Sequence, residues 1–375
     1  MTVNAMKVTP QQAFNTLLES WKAQKDYGFA ASHMLHGEPG VGKSQLVARL
    51  AKEIGADLYD IRLTTIETSD LRGLPYYDHE TKTTKWYRPE DLPNNPERPA
   101  ILFLDEITSC LPHLQPTVYG LLQERRVGFH KLPANTLIVA AGNGTSDGAV
   151  AYELGTAIAD RMAHMEVVQS AESWIENFAI PEDLHPAVIT FIKTRPDLLH
   201  TVQLAIKEDY TVATTGRSWE KVSNVLKFVK SREAQQVLIA GWIGSSVAAE
   251  FWLVADDLAS TVKVLDMFKV QRAARIEMFP NTLHGLNSLA FGVIGHFQES
   301  NLEECVEILS DLSKLHSLRA DGHEFRRLPI GELATWAFET LMAKGIKLGL
   351  ADKFPSSPAY LAYHAEREEL GLNAA

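Results

Sequence analysis

An α/β fold is expected from this sequence: a parallel sheet flanked by helices, followed by an all-α region and a further helical C-terminal stretch. Three observations predict it. A glycine-rich turn, Gly37–Ser44, stands between a strand-like run and a helical one. The runs Ala100–Asp105 (AILFLD) and Thr136–Ala141 (TLIVAA) are uninterrupted and apolar, the composition of strands buried on both faces. From about Glu172 the pattern turns helical and stays so.

Composition is compatible with that fold and excludes others. The chain has 375 residues, 45% hydrophobic and 22% charged, which fits two or three folded domains and rules out a disordered or collagenous chain. Two cysteines, Cys110 and Cys305, supply neither a disulfide framework nor a four-cysteine zinc site, so a reducing compartment is expected. Lys and Arg number 36 against 47 Asp and Glu, a net charge of −11 that gives no global attraction to nucleic acid or anionic lipid. The N-terminal segment lacks the charged-then-apolar order of a signal peptide, and the longest apolar stretch, near Val237–Ala255, is broken by glycines, serines and Glu250. That stretch is expected to be a buried helix pair, and the protein to be cytoplasmic, without membrane insertion.

Along the chain, Thr9-Pro10 makes a helix start, with Ala13, Phe14, Leu17 and Leu18 at helical spacing. Ala30–His36 reads as a strand, Leu46–Ile54 as a helix and Tyr59–Leu63 as a strand. Strands alternating with helical segments imply parallel crossovers. Two hairpins are expected. Leu74–Leu92 sets Tyr76-Tyr77 and Trp86-Tyr87 either side of a charged turn, and Arg126–Asn135 bends near Gly128-Phe129-His130-Lys131. Later helices are punctuated by Pro181, Pro186, Pro196 and Gly216, with a last start at Ser357-Pro358. The expected domains are residues 1–170 (nucleotide-binding α/β), 171–232 (helical lid) and 233–375 (helical extension). In the extension Trp242, Trp252, Met267, Phe268, Met278, Phe279, Phe291, Phe297, Trp336 and Phe338 read as core.

The turn carries the chemistry. Gly37-Glu38-Pro39-Gly40-Val41-Gly42-Lys43-Ser44 fills every fixed position of G-x-x-x-x-G-K-[ST]. Its glycines let successive backbone N–H groups face phosphate, and the following helix adds its positive end. Lys43 reaches the β- and γ-phosphates, and Ser44 offers a hydroxyl to Mg²⁺. The apolar strand ending in Asp105-Glu106 supplies the second half: Asp105 for Mg²⁺ through water, Glu106 to polarise the attacking water. No N-K-x-D segment marks guanine, and no G-x-G-x-x-G marks a dinucleotide, so ATP with Mg²⁺ is the expected cofactor. None of the 13 histidines has zinc-site spacing; His33 and His36 read as packing residues and Cys110 as a small buried one.

In order, GEPGVGKS, Asp70-Leu71-Arg72-Gly73, LFLDEI, Leu122-Gln123-Glu124-Arg125, Ala141-Gly142-Asn143, Ala159-Asp160-Arg161 and Gly216-Arg217-Ser218 resemble the motifs of AAA+ ATPases. Within them the chain is similar to the MoxR family, near magnesium chelatase, over about residues 8–232. The resemblance implies sensor 1 for Asn143, an arginine finger for Arg161 and sensor 2 for Arg217. A guanidinium against the γ-phosphate is worth roughly 10³–10⁵ in rate, or about 4–7 kcal/mol. It further implies a homohexameric ring whose sites are shared between subunits, hairpins facing a pore, a protein client remodelled by ATP hydrolysis, and a partner with a von Willebrand factor A domain. Local packing is the competing account of each: a turn Asn, an Arg paired with Asp160 or Glu166, a first-turn Arg, two solvated hairpins.

Two rival functions remain. A DNA-associated motor is suggested by Arg126, Phe129, His130 and Lys131, and opposed by the net charge; nucleic acid is not the expected partner. A nucleotide-dependent interaction module with little turnover is opposed by the presence of Asp105, Glu106, Asn143 and Arg161 together.

Overall fold

The computed structural model describes residues 4–144, 159–261, 264–319 and 321–369. They fall into two compact units: residues up to Ser173 together with His200–Arg217, and Trp174–Leu199 together with Ser218 onward.

The first unit is built on a six-stranded parallel sheet. Its strands are β1 (Met6–Val8), β2 (Ser32–His36), β3 (Asp57–Arg62), β6 (Ala100–Asp105), β9 (Thr136–Gly142) and β10 (Met162–Val167), in the order β1-β10-β2-β9-β6-β3. The register sets Leu35 against Ala141 and Leu104 against Ala140. Because side chains alternate along a strand, β6 feeds two cores. Ile101 and Phe103 pack with Leu35, Val139 and the helices α1 (Pro10–Tyr27) and α2 (Lys43–Ile54) on one face. Leu102 and Leu104 pack with Met34, Ile138 and α4 (Gln115–Glu124) on the other. Burial on both faces is why these strands read as continuous apolar runs.

Local chemistry sets the element ends. Thr9 and Gln12 close a capping box at the start of α1, and Gly28 ends it in the left-handed region, φ 71°. A short helix α3 (Thr68–Arg72) leads into the hairpin of β4 (Pro75–Asp78) and β5 (Thr83–Trp86), and β7 (Arg126–Val127) pairs with β8 (His130–Lys131) in a second one. Strands β1 and β10 were not visible in the sequence. β1 is three residues on a sheet edge, and β10 carries exposed and half-buried positions that break its apolar pattern.

The second unit is helical. Phe191, Trp219 and Phe251 form one aromatic cluster, with ring centroids 5.3–5.8 Å apart. Helices Leu283–Gly295, Leu302–Leu318 and Ile330–Lys347 form a second core containing Met267, Phe279, Phe297 and Phe338. The units group the helices differently from a three-part division, since Trp174–Leu199 packs with the later helices while His200–Arg217 belongs with the sheet.

The stretch near Val237–Ala255 is a helix pair, Arg232–Ile243 and Ser245–Thr261, broken at Gly244 with φ 81°. Its expected burial is corrected: the first helix buries only Ile239 and Ile243, while Val237 is 73% exposed and Leu238 and Trp242 are exposed too. Only one stripe of that helix meets neighbours, and apolar composition alone does not tell a covered face from an open one. No helix among the described residues is long and apolar enough to cross a membrane.

Candidate nucleotide site

The site lies at the carboxyl ends of β2, β6 and β9, where an open α/β sheet leaves a crevice. The turn between β2 and α2 holds Gly37, Gly40 and Gly42 at positive φ (154°, 83° and 95°). Gly40 has a second reason to be glycine: a Cβ there would lie 2.7 Å from Thr215 Cβ. No side chain caps the first turn of α2, so its leading N–H groups face the turn with the positive end of the helix behind them.

Lys43 is buried, and its Nζ donates to Gly37 O (2.6 Å), Glu38 O (3.1 Å) and Asn143 Oδ1 (3.0 Å). Asn143 follows β9 directly, and its backbone N–H donates to Thr108 Oγ1 at 3.2 Å. Ser44 Oγ donates to Asp105 Oδ2 at 3.2 Å, and Asp105 Oδ1 accepts from the Glu106 N–H at 2.9 Å. Glu106 adopts the left-handed conformation, φ 58°, a strained choice for a residue with a side chain. Its carboxylate accepts from Thr64 Oγ1 at 2.5 Å and stands 3.6 Å from Arg62 Nε. Asp60, on the neighbouring strand, has its carboxyl held above the ordinary range by burial and by the charge of Asp105.

The predicted residues thus divide. Lys43, Ser44, Asp105, Glu106 and Asn143 come together, from three separate stretches of chain. Arg161 stands on α4, where Nε donates to Gln123 Oε1 (2.6 Å) and the guanidinium lies 4.2 Å from the centre of the Tyr119 ring. Arg217 is exposed at the start of helix Gly216–Phe228, two residues past Thr215.

Three residues escaped the sequence reading. Thr64 holds Glu106. His200 Nε2 lies 2.5 Å from Glu38 Oε2. His164 bridges β2 to the Arg161 segment: its Nε2 donates to Ala159 O (2.7 Å) and its Nδ1 accepts from His36 Nε2 (2.7 Å). None lies in a motif, and only tertiary pairing reveals them. His36 titrates far below the usual histidine range, at about 4, through burial first and then the nearby His164 and Lys43.

The donor set suits a nucleotide with a hard cation. One buried ammonium, a turn of N–H groups and the oxygens of Ser44 and Asp105 match phosphate and Mg²⁺, which takes few protein ligands and keeps waters. No group of three or more His, Cys, Asp or Glu that could cage a metal occurs among the described residues. Lys43 and the turn would hold the phosphates, and Ser44 and Asp105 would hold Mg²⁺, whose charge would offset that of the transferred phosphoryl group.

Residues 32–162 match the model of the AAA domain, dynein-related subfamily. The chain is 35% identical over 95 residues to the uncharacterized protein YeaC of Bacillus subtilis, covering 25% of this chain and 28% of that one. It is 30% identical over 105 residues to the ATPase family gene 2 protein homolog B of Mus musculus, covering 28% and 12%. It spans under a third of the length of either relative. Among solved structures it is similar to the RuvB Holliday junction branch migration motor of Thermotoga maritima, with TM-score 0.32, 16% identity and coverage of 78% and 84%. It is also similar to Hsp104 in a closed state with ATPγS and FITC casein, with TM-score 0.38, 13% identity and coverage of 62% and 46%.

Proposed function

We propose, from the premise that residues 32–162 form an AAA ATPase domain, that this protein is a MoxR-like AAA+ motor. In this reading it assembles into a ring, hydrolyses ATP with Mg²⁺ and remodels or activates a protein client in the cytoplasm. Residues 1–170 serve as nucleotide-binding domain, 171–232 as lid and 233–375 as extension, a functional division distinct from the two packing units. One observation carries the reading: Lys43, Ser44, Asp105, Glu106 and Asn143 converge on one turn, a phosphate cradle beside a carboxylate able to orient water.

Each residue has a chemical task. Lys43 exchanges its carbonyl partners for phosphate oxygens. Glu106, held by Thr64, accepts a proton from the attacking water. Asn143 exchanges Lys43 for that water or for the γ-phosphate. Arg161 belongs to the neighbouring subunit's site, and its anchoring to Tyr119 and Gln123 suits a residue presented outward. Arg217 approaches the γ-phosphate from the lid side. The exposed Tyr76, Tyr77 and Phe129 of the two hairpins suit contact with a client. A von Willebrand factor A domain protein is the partner we expect.

Glu106→Gln should bind ATP as the parent does and turn over roughly 10²–10⁴-fold more slowly; retained hydrolysis would remove Glu106 from that role. Arg161→Ala should be inactive alone and regain turnover when mixed with Lys43→Ala subunits. Inactivity at every mixing ratio counts against a shared site.

A DNA-associated motor is the second reading, favoured by Phe129, 83% exposed between Arg126, His130 and Lys131. Turnover stimulated by DNA, with a steep salt dependence, would support it over a protein client.

A further inference from the structure

The stretch His200–Thr215 grips the phosphate turn at two points. At one, His200 Nε2 donates to Glu38 Oε2 at 2.5 Å, with the imidazole mostly buried. At the other, Thr215 packs directly on Gly40. The two points are tied to each other. Thr201 N donates to Thr214 O (3.0 Å), Thr214 N to Thr201 Oγ1 (2.9 Å) and Thr214 Oγ1 to Thr201 Oγ1 (3.0 Å). His200 Nδ1 is buried with no partner among the described residues, so Glu38 is what orients the ring.

Glu38 is therefore bonded in two directions. Its carboxylate takes His200, and its carbonyl takes Lys43. A lysine ammonium has three N–H donors, and those of Lys43 are engaged, with Gly37 O, Glu38 O and Asn143 Oδ1 among their partners. Lys43 would engage a phosphate oxygen at the expense of a present partner. The Glu38 carbonyl, at 3.1 Å, is the longest of these contacts. A change at that carbonyl would be felt at the Glu38 side chain, which is bonded to His200.

We propose that Glu38 and His200 are positioning residues that pass occupation of the phosphate turn to the stretch His200–Arg217, and so set where Arg217 stands when a nucleoside triphosphate binds. The inference rests on the nucleotide reading above. It assigns neither residue to the chemical step.

The test is hydrogen exchange of the full chain with no nucleotide, with Mg-ADP and with Mg-ATPγS, alongside the Kd for each nucleotide. In the parent, ATPγS should change exchange across residues 200–217. His200→Ala should keep each Kd within about threefold, under 1 kcal/mol, and lose that change. Glu38→Ala should lose that change as well, its Kd being read separately because Glu38 belongs to the turn, and the double variant should lose no more of the response than either single one, the signature of residues acting through one contact. His200→Gln, which keeps an N–H donor, should restore part of the response. An unaltered response in His200→Ala, or additive effects of the two substitutions, would overturn the proposal. If His200→Ala fails to fold, the exchange response of Glu38→Ala and the exchange response and Kd of His200→Gln decide it. A parent that binds neither nucleotide overturns the ATPase reading, and the proposal with it; a parent that binds both while the cycle is additive loses the proposal alone.

Discussion

At the scale of single residues, the site is a set of polar groups that satisfy one another. Lys43 is buried but its ammonium is matched by carbonyls, Glu106 is strained but held by Thr64, and Asp105 takes both Ser44 and a backbone N–H. Behind the turn, His33 and His36 are kept neutral by burial, each titrating at about 4. The sign of the resulting pH dependence follows. Above pH 6.5 the histidines are neutral in both the folded and unfolded chain, and their burial carries no charge penalty. As pH falls from 6.5 toward 4 the unfolded chain takes protons that the folded chain refuses, so stability drops across that window. A fully buried histidine shifted this far costs on the order of 3 kcal/mol at the acid limit, and the more accessible His36 costs less. Denaturant midpoints for this unit should fall between pH 7 and 5, and His33→Gln, which keeps a partner for Ser20, should flatten the slope. An unchanged slope would mean that His33 is not the group refusing protons.

At the scale of elements, the first hairpin depends on how its base is closed. Gly73 has φ 84°, and a Cβ there would lie 1.8 Å from Tyr87 O, across the mouth of the hairpin where Tyr87 N donates to Leu74 O. The hairpin is then stiffened by Tyr76 stacked on Tyr87 at 4.4 Å and by Arg72 over Trp86 at 4.4 Å. Arg88, just past it, donates to Lys131 O of the second hairpin, so the two share an anchor. Gly73→Ala should therefore open the base while leaving the phosphate turn intact. Exchange should rise across Leu74–Trp86 with nucleotide Kd unchanged within about threefold. Protection equal to the parent's would show that the base tolerates a side chain.

At the scale of the whole molecule, the proposed ring makes activity a property of assembly. If Arg161 completes a neighbour's site, ATPase rate per subunit should climb with protein concentration as a larger species forms, and closed cyclic symmetry is the usual form of such assemblies. A flat rate on a monomer would remove Arg161 from the site. The second unit draws its stability from its own aromatic and aliphatic cores and from Arg272 paired to the buried Asp311.

The glycine turn Gly37–Ser44, Asp105-Glu106 and the central strands were legible in the chain alone. A turn of this kind needs particular residues at fixed local spacing, and strands covered on both faces must be apolar throughout. The sequence showed α1, both hairpins and the helical character after Glu172 for similar reasons, since caps, turns and periodicity are local. The rest depends on how distant segments pack. Tertiary packing brought Thr64 to Glu106, His200 to Glu38 and His164 to His36, contacts between residues far apart in the chain that no spacing rule encodes. It also decided which face of Arg232–Ile243 is open and that His200–Arg217 packs with the sheet, because burial depends on what lies opposite a residue rather than on the residue itself.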